Sequence, residues 1–189
     1  KKTFQPLVNQ LRNENPQVQV RLFFQDESRF GLITEGRRKI TIKEVKPIGK
    51  RRYERKSFYV YGAVEPKTGK NLFLELPELN AEMFQIFLNE MAKQYPSGLN
   101  LVYLDGGRFH WAACLEVPKN IKLLKLPAYS PELNPIERVW QEFKREIAWE
   151  DFDGLDSVSD WVCQFVQALT NEQIQSLTNY SYIQEAINA

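Results

Sequence analysis

The sequence predicts an α/β domain built on a mixed five-stranded sheet flanked by helices, and three observations carry that prediction. Alternating apolar residues in the first part of the chain give way to helical spacing from Met83 onward. The turn Pro66-Lys67-Thr68-Gly69 lies between two apolar runs and makes them an antiparallel hairpin. Later apolar runs are separated by helical stretches, as parallel crossovers require.

Taken in order, residues 17–26 alternate, with Val18, Val20, Leu22 and Phe24 on one face and Gln17, Gln19 and Arg21 on the other. This predicts a strand that ends at Asp26, with Asp26 on the apolar face. Residues 57–64 and 71–76 are the hairpin strands. Behind Asn80, a good N-cap, Met83, Phe84, Phe87, Leu88 and Met91 recur at helical spacing. Residues 99–104 form a strand ending in Asp105, a helical turn or two follows from Arg108 to Leu115, and Ile121–Leu126 is the fifth strand. A helix starts near Pro135 with Ile136, Trp140, Phe143 and Ile147 on one stripe. A further helix aligns Val158, Trp161, Val162, Phe165 and Leu169, and the tail from Asn171 is helical too. This order is the ribonuclease H-like architecture. A doubly wound open sheet would need an initial strand-to-helix step and a glycine-rich phosphate turn, and the sequence has neither.

The 189 residues fit one domain, with a core over about 17–150 and C-terminal helices over about 155–187. No apolar run is long enough to cross a membrane, and no signal-peptide pattern opens the chain. Cys114 and Cys163 read as buried thiols in a reducing, cytoplasmic compartment. With two cysteines and His110 as the only histidine, the sequence lacks the four Cys/His ligands of a structural zinc site and argues against zinc.

Net charge is +1, but residues 37–56 carry +8 and the remainder −7. Arg37, Arg38, Lys39, Lys50, Arg51, Arg52, Arg55 and Lys56 in that stretch are candidates for tracking DNA phosphates, as is Arg108. A solvated loop would have the same composition.

Asp26 and Asp105 close two strands that this topology makes neighbours. Carboxylates so placed are costly without a cation between them, and magnesium favours such hard oxygen donors. Glu137, at the start of the helix after the fifth strand, can supply a third. Each also has a plainer reading. Asp26 can cap a turn, Asp105 can open the Asp-Gly-Gly turn, and Asn134-Pro-Ile-Glu137 reads as a capping box. Glu27, of opposite parity to Asp26, should face away from it, and Glu132 lies in a loop of unreadable direction. Trp111, Trp140 and Trp161 read as core.

Leu126-Pro-Ala-Tyr-Ser-Pro-Glu-Leu-Asn-Pro-Ile-Glu-Arg-Val-Trp140 resembles the signature around the last acidic residue of DDE transposases of the IS630/Tc1/mariner superfamily. Phe24-Gln-Asp-Glu-Ser-Arg-Phe30 and Tyr103-Leu-Asp-Gly-Gly-Arg-Phe-His110 resemble the blocks around the two aspartates. The resemblance spans about residues 20–150, although many relatives have Asp-Asn-Ala where this chain has Asp105-Gly106-Gly107. It implies a triad of Asp26, Asp105 and Glu137 holding two Mg²⁺ ions, with Mn²⁺ able to substitute. It also implies a bacterial insertion sequence, nicking at the element's double-stranded DNA ends, and joining into a short target such as TA by a homodimer. The helix-turn-helix DNA-binding region expected ahead of the catalytic domain is missing from this chain. His110, five residues past Asp105, is a candidate proton shuttle or phosphate contact, or a residue that holds the loop. A structure-specific nuclease of the same fold that never joins ends, and a non-catalytic domesticated DNA-binding domain, are the competing expectations.

Overall fold

The computed structural model describes residues 9, 10, 13, 17–33, 42–45, 52–127, 133–181, 183 and 184. Its elements run β1 (Val20–Gly31), β2 (Ser57–Val64), β3 (Asn71–Leu76), α1 (Ala81–Gln94), β4 (Leu99–Leu104), a 3-10 turn (Arg108–Trp111), β5 (Ile121–Lys125), α2 (Ile136–Glu146), α3 (Leu155–Ala168) and α4 (Asn171–Thr178). The strands form one sheet in the order β3-β2-β1-β4-β5. The hairpin makes β1–β2 and β2–β3 antiparallel, and the crossovers through α1 and the 3-10 turn make β1–β4 and β4–β5 parallel. This is the mixed sheet of the predicted ribonuclease H-like fold.

Helices cover both faces. Phe23, Tyr61, Val102 and Leu104 pack beneath Phe84, Phe87, Leu88 and Met91 of α1. On the opposite face, Leu22, Phe24, Val60 and Leu101 pack against Ile136, Val139, Trp140 and Phe143 of α2, with Val158, Val162 and Ile174 of α3 and α4 behind them. The Asn80 side chain caps α1 by accepting from the Met83 N–H at 2.9 Å, and Gly69 adopts the positive φ of 72° that closes the hairpin.

Four expectations are corrected or refined. β1 continues past Asp26 to Gly31, because β2 goes on pairing with it as far as Gly31↔Ser57 after β4 has stopped. Arg21, on the second face of β1 as its parity requires, is buried there, donating to Ser97, Asn100 and Gln19. The helical turn or two expected from Arg108 to Leu115 is a single 3-10 turn that ends sooner, at Trp111. Cys114 and Cys163 are both exposed, as is Trp111, since short loops and the outer face of α3 offer no cover. Among the described residues, no helix is long and apolar enough to cross a membrane.

Candidate active site

Parallel pairing of β1 with β4 reaches Phe24↔Tyr103. Asp26 and Asp105 each lie two residues beyond that rung, so the register that pairs the strands also brings these carboxylates to one end of the sheet.

Asp26 is opposite Gly62 of β2. Its Oδ2 accepts a hydrogen bond from the indole Nε1–H of Trp140 at 3.1 Å. Burial pushes the Asp26 carboxyl well above the usual range. The negative charges of Glu27, Glu137 and Asp105 push the same way, against a lowering bond from the Glu27 backbone N–H. Glu137 and Asp105 therefore both lie within electrostatic reach of Asp26.

Glu137 occupies the first turn of α2 and is partly buried. Burial raises its carboxyl as well, opposed by Lys144. The capping box does not form, as the N-terminus of α2 has no side-chain cap. Asn134 instead turns its Nδ2 to the Gln25 carbonyl of β1 at 3.0 Å, in a buried contact. That bond ties the start of α2 to the strand carrying Asp26, and it leaves the Glu137 carboxylate uncommitted to the helix end.

The Asp105 side chain is 62% exposed. Its Oδ1 accepts from the Gly107 N–H at 2.8 Å, so the expected turn exists. The same oxygen meets His110 Nδ1 at 2.9 Å. His110 is 2% exposed, and its Nε2 lies 2.9 Å from Glu27 Oε1. Glu27 does face away from Asp26, as its parity requires, and the far side of the sheet is where His110 meets it.

The donors suit a hard divalent cation. They are carboxylate oxygens, and the imidazole beside them has both nitrogens directed at carboxylates. Proximity of like charges and burial disfavour ionised Asp26, and a cation would reverse that balance. Among the described residues, no three acidic, imidazole or thiol groups are gathered tightly enough to cage an ion by themselves; mutual repulsion of the carboxylates opposes closer approach.

Of the predicted phosphate contacts, Arg37, Arg38, Lys39, Lys50 and Arg51 lie outside the described residues, as does Glu132. Arg52 is committed to the acidic segment after α2, donating to the Asp153 carbonyl at 2.9 Å and lying 3.7 Å from Asp151. Lys56 pairs with Glu54 at 2.7 Å. Arg55 and Arg108 are exposed, and Arg108 opens the 3-10 turn beside Asp105.

Trp140, Gly62, Asn134 and Glu27 were not among the predicted site residues. Only spacing hints at Trp140, which lies one helical turn after Glu137 and so on the same side of α2.

A family model for the DDE superfamily endonucleases matches residues 21–159. A protein of Sinorhizobium fredii named only as uncharacterized protein y4pE/y4sA is 44% identical over 84 residues, covering 44% of this chain and 62% of that protein. The chain thus spans less than two thirds of that relative. Among solved structures, the Mos1 mariner paired end complex with Mn aligns with a TM-score of 0.68 at 19% identity, covering 99% of this chain and 59% of that one. The Mos1 transposase paired-end complex with left transposon end aligns with a TM-score of 0.66 at 18% identity, covering 94% and 56%. These likenesses show the shared fold. The family model covers all three candidate carboxylates and well over half of the chain, which therefore belongs to the DDE superfamily endonucleases.

Proposed function

We propose that this domain is the catalytic core of a transposase that cuts and joins DNA to move an insertion sequence. The observation that supports the reading is that Asp105 and Glu137 both lie within electrostatic reach of buried Asp26, near where β1 and β4 stop pairing. There, burial and the charges of Glu27, Glu137 and Asp105 disfavour the ionised form of Asp26, a cost that a bound cation would offset. The fifteen-residue resemblance around Glu137 supports it, as does the fold shared with the Mos1 complexes with a left transposon end and with Mn.

In this reading Asp26, Asp105 and Glu137 hold two Mg²⁺ ions, for which Mn²⁺ substitutes. When bound, such ions polarise phosphate and attacking oxygens and offset the charge on the leaving oxygen. The chain's own groups do the positioning. Trp140 fixes one oxygen of Asp26, Gly107 and His110 fix one of Asp105, and the Asn134 tie sets Glu137 against β1. Arg55 and Arg108 are exposed cations available to DNA phosphates, and contacts of that kind orient a duplex without reading its sequence. Water replaces the 3′ oxygen on a phosphodiester at the element's end, releasing a 3′-hydroxyl. That hydroxyl then attacks a target phosphodiester and displaces another 3′ oxygen, so each step exchanges one P–O bond for another. Action as a homodimer on paired ends, and joining into a short target such as TA, belong to the same reading.

The test is plasmid nicking at low salt with Mg²⁺ or Mn²⁺, together with transfer of a pre-cleaved end oligonucleotide into plasmid. Both activities are expected, and both should fall at least about 10³-fold in Asp105→Asn. Nicking without any joined product would mark a nuclease that only cuts. Nicking undiminished in Asp105→Asn would overturn the triad.

A further inference from the structure

Asp105 presents an exposed carboxylate on a loop, yet it is held from the interior. His110 contacts its Oδ1 at 2.9 Å while the imidazole side chain is only 1% exposed. The ring is wedged against Phe84 and Phe109, with centroids 4.6 and 4.0 Å away. Its other nitrogen meets Glu27, whose side chain is 7% exposed and which takes a further bond from Gln25 Nε2 at 2.6 Å. Gln25 and Glu27 belong to β1, so the polar chain Gln25–Glu27–His110–Asp105 passes from that strand to the loop after β4. Oδ1 of Asp105 also takes the Gly107 N–H, and the Trp111 indole holds the Asp105 carbonyl at 3.1 Å. Among the described residues, nothing bonds to Oδ2. A buried imidazole with both nitrogens engaged has no atom left for a DNA phosphate, so contact with phosphate is not the use this geometry allows it.

We propose that Glu27 and His110 form a buried strut that fixes the direction of the Asp105 carboxylate, keeping Oδ2 available to a divalent cation. They are positioning residues, and Glu27 acts on the site from the opposite face of the sheet. An exposed aspartate without such support samples several rotamers and must be ordered when a cation binds; the strut removes that cost beforehand. The inference rests on the metal-dependent reading above.

The test is Mn²⁺ binding to the 189-residue chain, followed by electron paramagnetic resonance of the free ion, with thermal melting and nicking measured alongside. His110→Ala and Glu27→Ala should each weaken Mn²⁺ binding about 10- to 100-fold. The double variant should lose little more than either single one, because one strut is broken in each case. Glu27→Gln keeps an acceptor for the ring and should bind Mn²⁺ within about twofold of the parent. If His110→Ala does not fold, His110→Gln and Glu27→Ala carry the test. Lower melting temperatures with unchanged Mn²⁺ affinity would make the pair merely structural, and lost nicking with unchanged affinity would make His110 a direct participant; either overturns the strut. Asp105→Ala separates the two levels. If it binds Mn²⁺ like the parent, the proposed metal site itself is wrong. If it loses binding while the Glu27 and His110 variants keep it, only the strut fails.

Discussion

Trp140 donates its indole N–H to Asp26 Oδ2 across the packed interface between α2 and β1, at 3.1 Å. The indole reaches so far because β2 carries Gly62 opposite Asp26. A methyl group there would stand 2.7 and 2.8 Å from Trp140 ring carbons and 2.9 Å from the Ile136 side chain. Both neighbours are buried core groups, so neither can simply swing aside. Gly62→Ala is therefore expected to destabilise the domain by about 1–3 kcal/mol through overpacking. It should also reduce nicking beyond what the unfolded fraction explains, since α2 carries Glu137 as well. Thermal denaturation and nicking on the same preparation check both, and a variant as stable and as active as the parent would remove Gly62 from the site.

Trp140→Phe separates the hydrogen bond from the packing. It keeps an aromatic ring among Phe30, Phe73 and Phe143 but deletes the donor. Loss of a group that orients a metal-holding carboxylate typically costs 10- to 100-fold in activity or metal affinity, and a loss in that range is expected here with a stability change of about 1–2 kcal/mol. Unchanged activity would reduce the indole N–H to a satisfied core donor.

The sheet was largely legible in the sequence because period-2 and period-3.6 patterns report on burial, and burial is what the elements have in common. Asp26 and Asp105 were legible for the same reason, since strand parity and strand order place them without reference to chemistry. The end of β1 was not. Asp26 looks like a terminus when only its own apolar run is read, but pairing with β2 extends the strand to Gly31. Glu137 was ambiguous because Asn134-Pro-Ile-Glu137 satisfies a capping pattern locally. What removes the capping alternative is a contact 109 residues away in sequence, between Asn134 and the Gln25 carbonyl. His110 and Glu27, 83 residues apart, meet through another such contact. Local pattern cannot reveal partners of this kind.

That long-range bond makes a prediction opposite to the capping one. Asp is as good an N-cap as Asn, so Asn134→Asp would be harmless if residue 134 capped α2. As a donor to the Gln25 carbonyl, it cannot be replaced by a carboxylate. Asn134→Asp is expected to cost about 1–3 kcal/mol, for an unsatisfied buried carbonyl facing a second acceptor, and to lower activity by displacing Glu137. Denaturant unfolding decides between the two, a parental midpoint favouring the cap.

Asp26 should make the metal-free domain sensitive to pH in an uncommon direction. Its folded carboxyl is raised, first by burial and then by Glu27 and Glu137. Below the ordinary carboxylate range it is protonated in both folded and unfolded chains and costs nothing. As pH rises through that range the unfolded chain ionises first, and stability is lost until the folded carboxyl also ionises. Glu137, raised by burial, adds to the trend. Melting temperature without divalent ions should therefore fall as pH rises above about 4, and Asp26→Asn should flatten the curve and melt higher than the parent near neutrality. Millimolar Mg²⁺ should raise the melting temperature of the parent and leave Asp26→Asn nearly unmoved. If Asp26→Asn melts no higher than the parent at pH 7 without metal, the buried carboxylate is not electrostatically strained.

The basic residues divide by partner rather than by position in the sequence. Arg55 and Arg108 are exposed, whereas Arg52 lies against Asp151 and the Asp153 carbonyl. If phosphates are gripped by uncommitted cations, Arg55→Ala and Arg108→Ala should each weaken duplex binding equally on all sequences. Each should also reduce the slope of log affinity against log salt by about 1. Arg52→Ala should change that slope much less, because its charge is already partly neutralised within the protein, and should instead cost up to about 1 kcal/mol of stability. Fluorescence anisotropy across a salt series measures all three slopes. Equal slope changes for Arg52→Ala and Arg108→Ala would mean that DNA displaces the acidic segment after α2 from Arg52, and the assignment by partner would then be withdrawn.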